Sequence, residues 1–224
     1  MNELERIENV SRRLLACVCL LIAGAIASAQ PDESKGKFRP DDLVELIKLD
    51  STIKLDIRYA TSDNFMKRQM YTQARAFLQR PAAEAVVRVN RKLQEKGLGL
   101  LVFDGYRPWV VTKQFWDETP PEKRSFVADP QKGSKHNRGC AIDLSLYNLK
   151  TGREIHMPSP YDDFTVNASP QYRGGTSSQR KMRDLLREAM EMEGFKVDPG
   201  EWWHFDFKDW REYRVLDIPF ERMK

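Results

Sequence analysis

The sequence predicts a single α+β domain, because stretches with strand periodicity and stretches with helix periodicity alternate along the chain without an intervening linker. A chain of 224 residues has the size of one domain or at most two small ones. Hydrophobic residues make up 41% of it and charged residues 31%. That balance is typical of a globular protein with its own core and excludes a disordered or low-complexity chain.

The first half of the domain is predicted to contain two strands and two helices. Residues 53–59 alternate apolar and polar side chains, as a half-buried strand does. A helix is expected between Pro81 and Gly97, where four apolar residues recur at helical spacing: Ala85, Val86, Val89 and Leu93. The apolar run of residues 98–103 predicts a buried strand, and residues 108–119 predict a helix that starts at one proline and stops before the next.

The second half adds two strands, a long loop and one more helix. Residues 141–146 alternate again and predict a strand. Residues 148–176 are rich in Gly, Pro, Ser, Asn and Asp and predict a long loop, which in a compact domain is often functional. Residues 202–207 predict an aromatic strand. The last helix ends at Gly194, and its apolar face is formed by Met182, Leu185, Leu186, Ala189 and Met190.

The N-terminal residues have the features of a secretory signal peptide. Arg12 and Arg13 precede the apolar run of residues 14–27, and Ala27-Ser28-Ala29 completes a small-residue cleavage site. The apolar run is too short to span a bilayer comfortably as a helix. An uncleaved anchor helix is the alternative interpretation.

These features divide the chain into three parts: a signal peptide at residues 1–29, a flexible polar segment at residues 30–40, and the folded domain at residues 41–224. We therefore expect an exported protein, periplasmic or secreted, without stable membrane insertion after cleavage. Cys140 would be its sole cysteine, so no intramolecular disulfide can form. The net charge of +4 comes from mixed charges and does not favour nucleic-acid binding. The sequence does not indicate an oligomeric state.

Two of the three histidines lie in segments that suit a metal site. His136 precedes the predicted strand that contains Asp143, and Gly139 allows the chain to turn sharply between them. An imidazole and a carboxylate that converge in this way are plausible zinc ligands. The alternative is a hydrogen-bonded surface histidine, which is common beside a strand.

The second histidine, His204, lies on the aromatic strand and is predicted to share one face of it with Trp202 and Asp206. Catalytic zinc sites typically have three protein ligands and one open position. Glu201, at the start of this strand, is then a free carboxylate beside the metal, able to take a proton from water. Such a set predicts peptide hydrolysis, whereas the alternative is a structural aromatic strand with incidental charges.

These motifs resemble a known family. S-x-H-x(6)-D followed by E-x-W-H, with D-G-Y-R-P upstream, is similar to the D-alanyl-D-alanine dipeptidases, which include the vancomycin-resistance dipeptidases and belong to the zinc D,D-peptidase superfamily. The segment D-I-R-Y-A-T-S-D-N-F at residues 56–65 extends the similarity over nearly the whole mature chain. The resemblance implies a central antiparallel sheet flanked by helices, as in the zinc D,D-peptidase and hedgehog-like fold. It also implies one zinc ion per chain, and hydrolysis of D-Ala-D-Ala to two D-alanines in cell-wall peptide turnover.

The resemblance also implies a role for each matching residue. The zinc ligands are matched by His136, Asp143 and His204, the catalytic base by Glu201, and the arginine that stabilises the transition state by Arg107. On the substrate side, Ser134 falls at a position near the dipeptide, and Asp162, or its neighbour Asp163, is expected to hold the substrate ammonium. The candidates for the walls of the pocket are Tyr106, Trp202 and Trp203. Cys140 departs from the family pattern, where a small residue such as serine is expected.

Several alternatives remain at this point. A D,D-carboxypeptidase or a peptidoglycan endopeptidase of the same superfamily would have the same metal motifs, and a non-catalytic module that binds cell-wall peptides would have the same fold. Cys140 is a candidate thiol nucleophile, and the alternative is a packed strand residue that points away from the face of Asp143. His156, in the polar loop, is expected to be exposed to solvent.

Overall fold

The computed structural model describes residues 29–223. The predicted signal peptide therefore lies outside the described residues, apart from Ala29. Within residues 29–223, no helix combines the length and the apolar character that crossing a membrane requires.

A five-stranded sheet forms the centre of the domain. Its strands are β2 (Lys54–Leu55), β4 (Leu98–Asp104), β5 (Ala141–Asn148), β6 (Phe195–Val197) and β7 (His204–Phe207), and a separate antiparallel pair joins β1 (Leu43–Glu45) to β3 (Phe77–Gln79). The strand order of the central sheet is β2-β4-β5-β7-β6. Its three pairs from β4 to β6 are antiparallel, as predicted, whereas the short edge strand β2 runs parallel to β4.

Within residues 29–223, four α-helices accompany the sheet: α1 (Leu46–Leu49), α2 (Arg80–Gln94), α3 (Trp109–Glu118) and α4 (Ser177–Glu191). Helices α2 and α4 contact each other, and they pack on β4 and on β6, respectively. The chain leaves α2 through Gly97, whose φ of +74° is a left-handed conformation that glycine adopts without strain. Thr176 and Gln179 form a capping box at the start of α4. The predicted α+β domain with helices against an antiparallel sheet is confirmed.

The strand predicted at residues 53–59 is much shorter than expected. Only Lys54–Leu55 form a strand, and Arg58–Ala60 form a turn of 3-10 helix. The reason is the buried Asn64 amide, whose two N–H groups are shared among three carbonyls within 3.1 Å of Nδ2, including those of Arg58 and Thr61. Such a side chain gives the backbone an alternative to sheet hydrogen bonds.

The aromatic strand also begins later than predicted. Trp202 and Trp203 lie in the turn before β7, and both are buried. From His204 the alternation holds, since His204 and Asp206 are half-buried and Phe205 and Phe207 are buried. Trp202 therefore does not share a strand face with His204.

The register of the sheet places three functional side chains side by side. Asp104 of β4 is opposite Asp143 of β5, and Asp143 is opposite His204 of β7. Directly opposed residues of antiparallel strands point to the same face of a sheet. A carboxylate, a second carboxylate and an imidazole thus form a row across three neighbouring strands.

Residues 30–40 contact the domain at several points. The carboxylate of Glu33 accepts hydrogen bonds from Arg138 Nη2 at 2.6 Å and from the Val215 backbone at 2.7 Å. Arg39 pairs with Glu212. The flexibility of this segment stays a prediction.

Candidate active site

Three side chains bring ligand atoms to one point, as the sequence motifs predict. His204 Nδ1 lies 3.0 Å from Asp143 Oδ1 and 3.1 Å from His136 Nε2, and His136 Nε2 lies 3.3 Å from Asp143 Oδ1. A tetrahedral ion with ligands at about 2.0–2.1 Å separates neighbouring ligand atoms by roughly 3.3 Å. Two imidazole nitrogens and one carboxylate oxygen at these spacings fit a single divalent ion such as zinc.

Hydrogen bonds on the far side of each ligand hold it in the orientation that a metal needs. His136 Nδ1 donates to the Gly105 carbonyl at 2.7 Å, which leaves Nε2 free to coordinate. The Tyr161 hydroxyl donates to Asp143 Oδ2 at 3.1 Å. His204 Nε2 lies 2.9 Å from Asp206 Oδ1, so it is Nδ1 of this ring that faces the other ligands. Contacts within the protein thus orient the two imidazoles and the carboxylate toward a common point.

The trio lies at the edge of a cavity of about 320 Å³, which is the size of a small-ligand pocket. Glu201 lines the same cavity, with Oε2 4.0 Å from His204 Nδ1. This distance exceeds the 3.0–3.3 Å that separate the three ligand atoms from one another. Glu201 therefore has the position of a base beside the metal and not that of a ligand. Burial raises the pKa of Glu201 to about 8. A cation at the three ligands would lower it again by direct attraction of the ionised form.

Arg107 reaches the cavity from the turn after β4. Its Nε and Nη2 donate to Asp104 Oδ2 at 3.0 and 2.7 Å, and Nη1 has no hydrogen-bond partner among residues 29–223. Asp104 is itself fixed, because its other oxygen accepts from the Tyr71 hydroxyl at 2.8 Å and from the Gly105 backbone at 2.9 Å. Although burial disfavours the charged form, Asp104 keeps the pKa of Arg107 well above its ordinary value. The site therefore contains a fixed, permanently charged guanidinium.

Asp162 brings a further carboxylate to the cavity, whereas Asp163 does not line it. Its two oxygens accept from the Tyr59 hydroxyl at 3.0 and 3.2 Å. Its backbone has φ +57°, a conformation that is uncommon for a residue other than glycine. Burial, followed by the charge of Asp143, raises the pKa of Asp162 to about 7. A cationic partner would stabilise the ionised form of this buried carboxylate.

Replacing Asp162 by asparagine is expected to stabilise the metal-free protein at high pH. The carboxyl group ionises above about pH 4 in the unfolded chain but near pH 7 when folded, so its ionisation costs stability progressively between these values. The difference of about three pKa units corresponds to a gain on the order of 4 kcal/mol at about pH 8.5, and it should vanish near pH 4. Thermal unfolding at both pH values, with Asp163→Asn as the control, measures it. An equal effect at both pH values would contradict the assignment.

Not every residue predicted at the site reaches it. Ser134 lines the cavity, with its hydroxyl accepting a hydrogen bond from the His136 backbone at 3.2 Å. Trp203 also lines the cavity, but Trp202 does not. Tyr106 points into the core, where its hydroxyl bonds to the backbone of Ile218, so the structure does not place it on the cavity.

Cys140 and His156 show no sign of a role in catalysis or metal binding. Cys140 is fully buried and outside the cavity, and burial raises the pKa of its thiol far above the ordinary value. Such a thiol is a poor nucleophile. His156 is exposed to solvent.

Sequence reasoning missed several residues that support the site. Tyr59 and Asp104 belong to the quoted motif segments, but the only residues of those segments with a predicted role are Tyr106 and Arg107. Asp206 was placed on the face of His204 without a function. Lys135 contacts Asp206 at 2.6 Å. The phenylalanines that line the cavity lie on several separate segments: Phe65, Phe115, Phe126 and Phe164. For Lys135 and Asp206 the available signal was their position within two residues of a predicted ligand.

Comparison with known proteins matches this geometry to a family. The sequence profile of the D-ala-D-ala dipeptidase family matches residues 39–220. The chain is 30% identical over 179 residues to a D-alanyl-D-alanine dipeptidase of Escherichia coli (strain K12), which covers 80% of this chain and 91% of that protein. It is 32% identical over 178 residues to a D-alanyl-D-alanine dipeptidase of Enterococcus faecium, covering 70% and 87% of the two chains. The motifs, the ligand geometry and these matches together show that the chain belongs to the D-Ala-D-Ala dipeptidase family.

Proposed function

We propose that this protein hydrolyses the dipeptide D-Ala-D-Ala to two D-alanines, with one zinc ion held by His136, Asp143 and His204. The observation that carries the proposal is the convergence of these three ligand atoms, 3.0–3.3 Å apart, in a cavity that also contains Glu201. The curated relatives bear the name D-alanyl-D-alanine dipeptidase, which supports the same reaction.

The donor set fits zinc, because imidazole nitrogen and carboxylate oxygen are ligands that it accepts and the spacing suits a tetrahedral site. Zinc, when bound, supplies Lewis acidity, which makes water more nucleophilic near neutral pH and polarises a carbonyl. Other divalent ions also bind such ligands. The remaining chemistry belongs to the side chains of the protein.

Glu201 has the position of a general base. Its carboxylate takes a proton from the attacking water as the water oxygen bonds to the peptide carbonyl carbon. It then gives that proton to the leaving amine as the carbon–nitrogen bond breaks. Arg107, held by Asp104 with Nη1 unpaired among the described residues, faces the same cavity. A guanidinium fixed in this way stabilises the negative charge that develops on the carbonyl oxygen.

Selectivity for a free dipeptide follows from the charges that line the cavity. Asp162 pairs with the substrate ammonium, and the donors available to the substrate carboxylate include Ser134 and Lys132. A peptide that is blocked or extended at its amino end leaves the Asp162 carboxylate buried without a cationic partner, which costs several kcal/mol, or about a hundredfold or more in rate. The site is therefore suited to short peptides with both ends free.

The proposed setting is outside the cytoplasm, periplasmic or secreted, where the enzyme would turn over dipeptide released from the cell wall. The predicted signal peptide supports this setting, since a dipeptidase of the resistance type would need to act on the cytoplasmic pool. A fusion of residues 1–40 to a reporter that is active only after export tests the prediction. A reporter that stays inactive would exclude export by this segment.

An assay of alanine release from three substrates tests the activity. We expect cleavage of D-Ala-D-Ala, and little or no cleavage of L-Ala-L-Ala or of N-acylated D-Ala-D-Ala. Cleavage of the N-acylated peptide would instead indicate a D,D-carboxypeptidase. If zinc binds but none of the three is cleaved, the protein is an endopeptidase or a peptide-binding module.

A further inference from the structure

We propose that Lys135 is a positioning residue of the metal centre, which acts through Asp206 to fix the imidazole of His204. The inference rests on the metal site of the proposed function. It adds two residues to that site, neither of which supplies a ligand atom to the trio.

The contacts form a continuous chain from Lys135 to the ligand. Lys135 Nζ lies 2.6 Å from Asp206 Oδ2, and Asp206 Oδ1 lies 2.9 Å from His204 Nε2. Because each carboxylate oxygen has its own partner, the carboxylate cannot rotate without losing one of them. The ring of His204 is therefore held with Nδ1 toward Asp143, at 3.0 Å. A fixed acceptor behind a ligating imidazole sets both its tautomer and its direction.

The same ion pair joins the two elements that carry the histidine ligands. Lys135 immediately precedes His136, whereas Asp206 lies two residues after His204 on β7. The pair thus crosses from the turn of the first ligand to the strand of the second. The two ligating nitrogens lie 3.1 Å apart, and we infer that the pair helps to keep this spacing.

The surrounding charges explain why a cation is needed at this position. Asp198 and Asp206 each bring a carboxylate oxygen within 4.8 Å of a ring nitrogen of His204. The ammonium of Lys135 balances Asp206 there. Asp206 can then accept the hydrogen bond from His204 Nε2 without an added cation. Both side chains are partly shielded, with Lys135 34% and Asp206 14% exposed.

Zinc affinity is the direct test, and it needs no peptide substrate. Zinc would be competed between a chromogenic chelator and the full protein, and the visible spectrum of the cobalt-substituted form would report ligand geometry. The variants are Lys135→Met, Lys135→Arg and Asp206→Asn. Lys92→Met is the matched control, because Lys92 forms an ion pair of 2.7 Å with Glu193 on the surface, away from the cavity.

We expect Lys135→Met to weaken zinc binding about tenfold and Asp206→Asn by about ten- to a hundredfold, with a changed cobalt spectrum. Lys135→Arg should recover most of the loss, and Lys92→Met should bind as the parent does. The metal-free Lys135→Met protein should unfold at the temperature of the Lys92→Met control.

Unchanged zinc affinity and cobalt spectrum in Lys135→Met would overturn the proposal. The proposal would also be overturned if Lys135→Met lost zinc affinity and the metal-free variant lost an equal amount of stability, because that result indicates a general structural role. If Lys135→Met does not fold, Asp206→Asn decides on the same criteria. A parent protein that binds zinc but cleaves no dipeptide would refute the proposed function and leave this test intact.

Discussion

Replacing Glu201 by alanine is expected to remove nearly all D-Ala-D-Ala hydrolysis while zinc stays bound. General acid–base catalysis contributes about 10²- to 10⁴-fold, so kcat should fall by about that factor. Zinc should remain because Oε2 of Glu201 lies 4.0 Å from His204 Nδ1, whereas the ligand atoms lie 3.0–3.3 Å from one another. The measurements are kcat for alanine release and the zinc content of the purified variant.

The exposed Glu122 provides a control for the loss of a glutamate. Glu122→Ala should keep both activity and zinc. If Glu201→Ala lost zinc along with turnover, Glu201 would belong to the ligand set instead. Turnover close to that of the parent would remove it from the mechanism altogether.

Replacing His204 by alanine is expected to abolish zinc binding and activity together. The variant loses one of three ligands, and Asp206 loses the imidazole to which it is bonded at 2.9 Å. Because the bound ion contributes several kcal/mol to the transition state, and each 1.36 kcal/mol is tenfold in rate, activity should fall by about a thousandfold or more. Zinc content and alanine release are measured on the same preparation.

His156→Ala is the matched control, since His156 is exposed and lies outside the cavity. It should bind one zinc ion per chain and cleave the dipeptide at the rate of the parent. A His204→Ala protein that remained active without metal would end the zinc hypothesis for this family member.

The sequence predicted the ligands because they are carried by local patterns. His136 and Asp143 share one short motif, and His204 and Glu201 share another, so each pair could be found without knowledge of the fold. What joins the two motifs is the pairing of β5 with β7, which places Asp143 opposite His204. The sequence predicted both strands but not their register.

The supporting contacts could not be predicted because they join distant parts of the chain. The hydroxyl of Tyr59 reaches Asp162 across 103 positions, and Lys135 reaches Asp206 across 71. No local periodicity encodes such pairs. Tyr106 shows the opposite error: it is adjacent to Arg107, but its side chain turns into the core to bond Ile218. Adjacency in sequence does not say which of two neighbours faces a cavity.

The most direct test of the central claim is a zinc titration of the metal-free protein while alanine release from D-Ala-D-Ala is followed. The claim is that one ion, held by His136, Asp143 and His204, is required for cleavage. Activity should be absent with excess chelator, rise in proportion to added zinc, and level off at one equivalent per chain. Full activity in the presence of chelator and without bound metal would contradict the account.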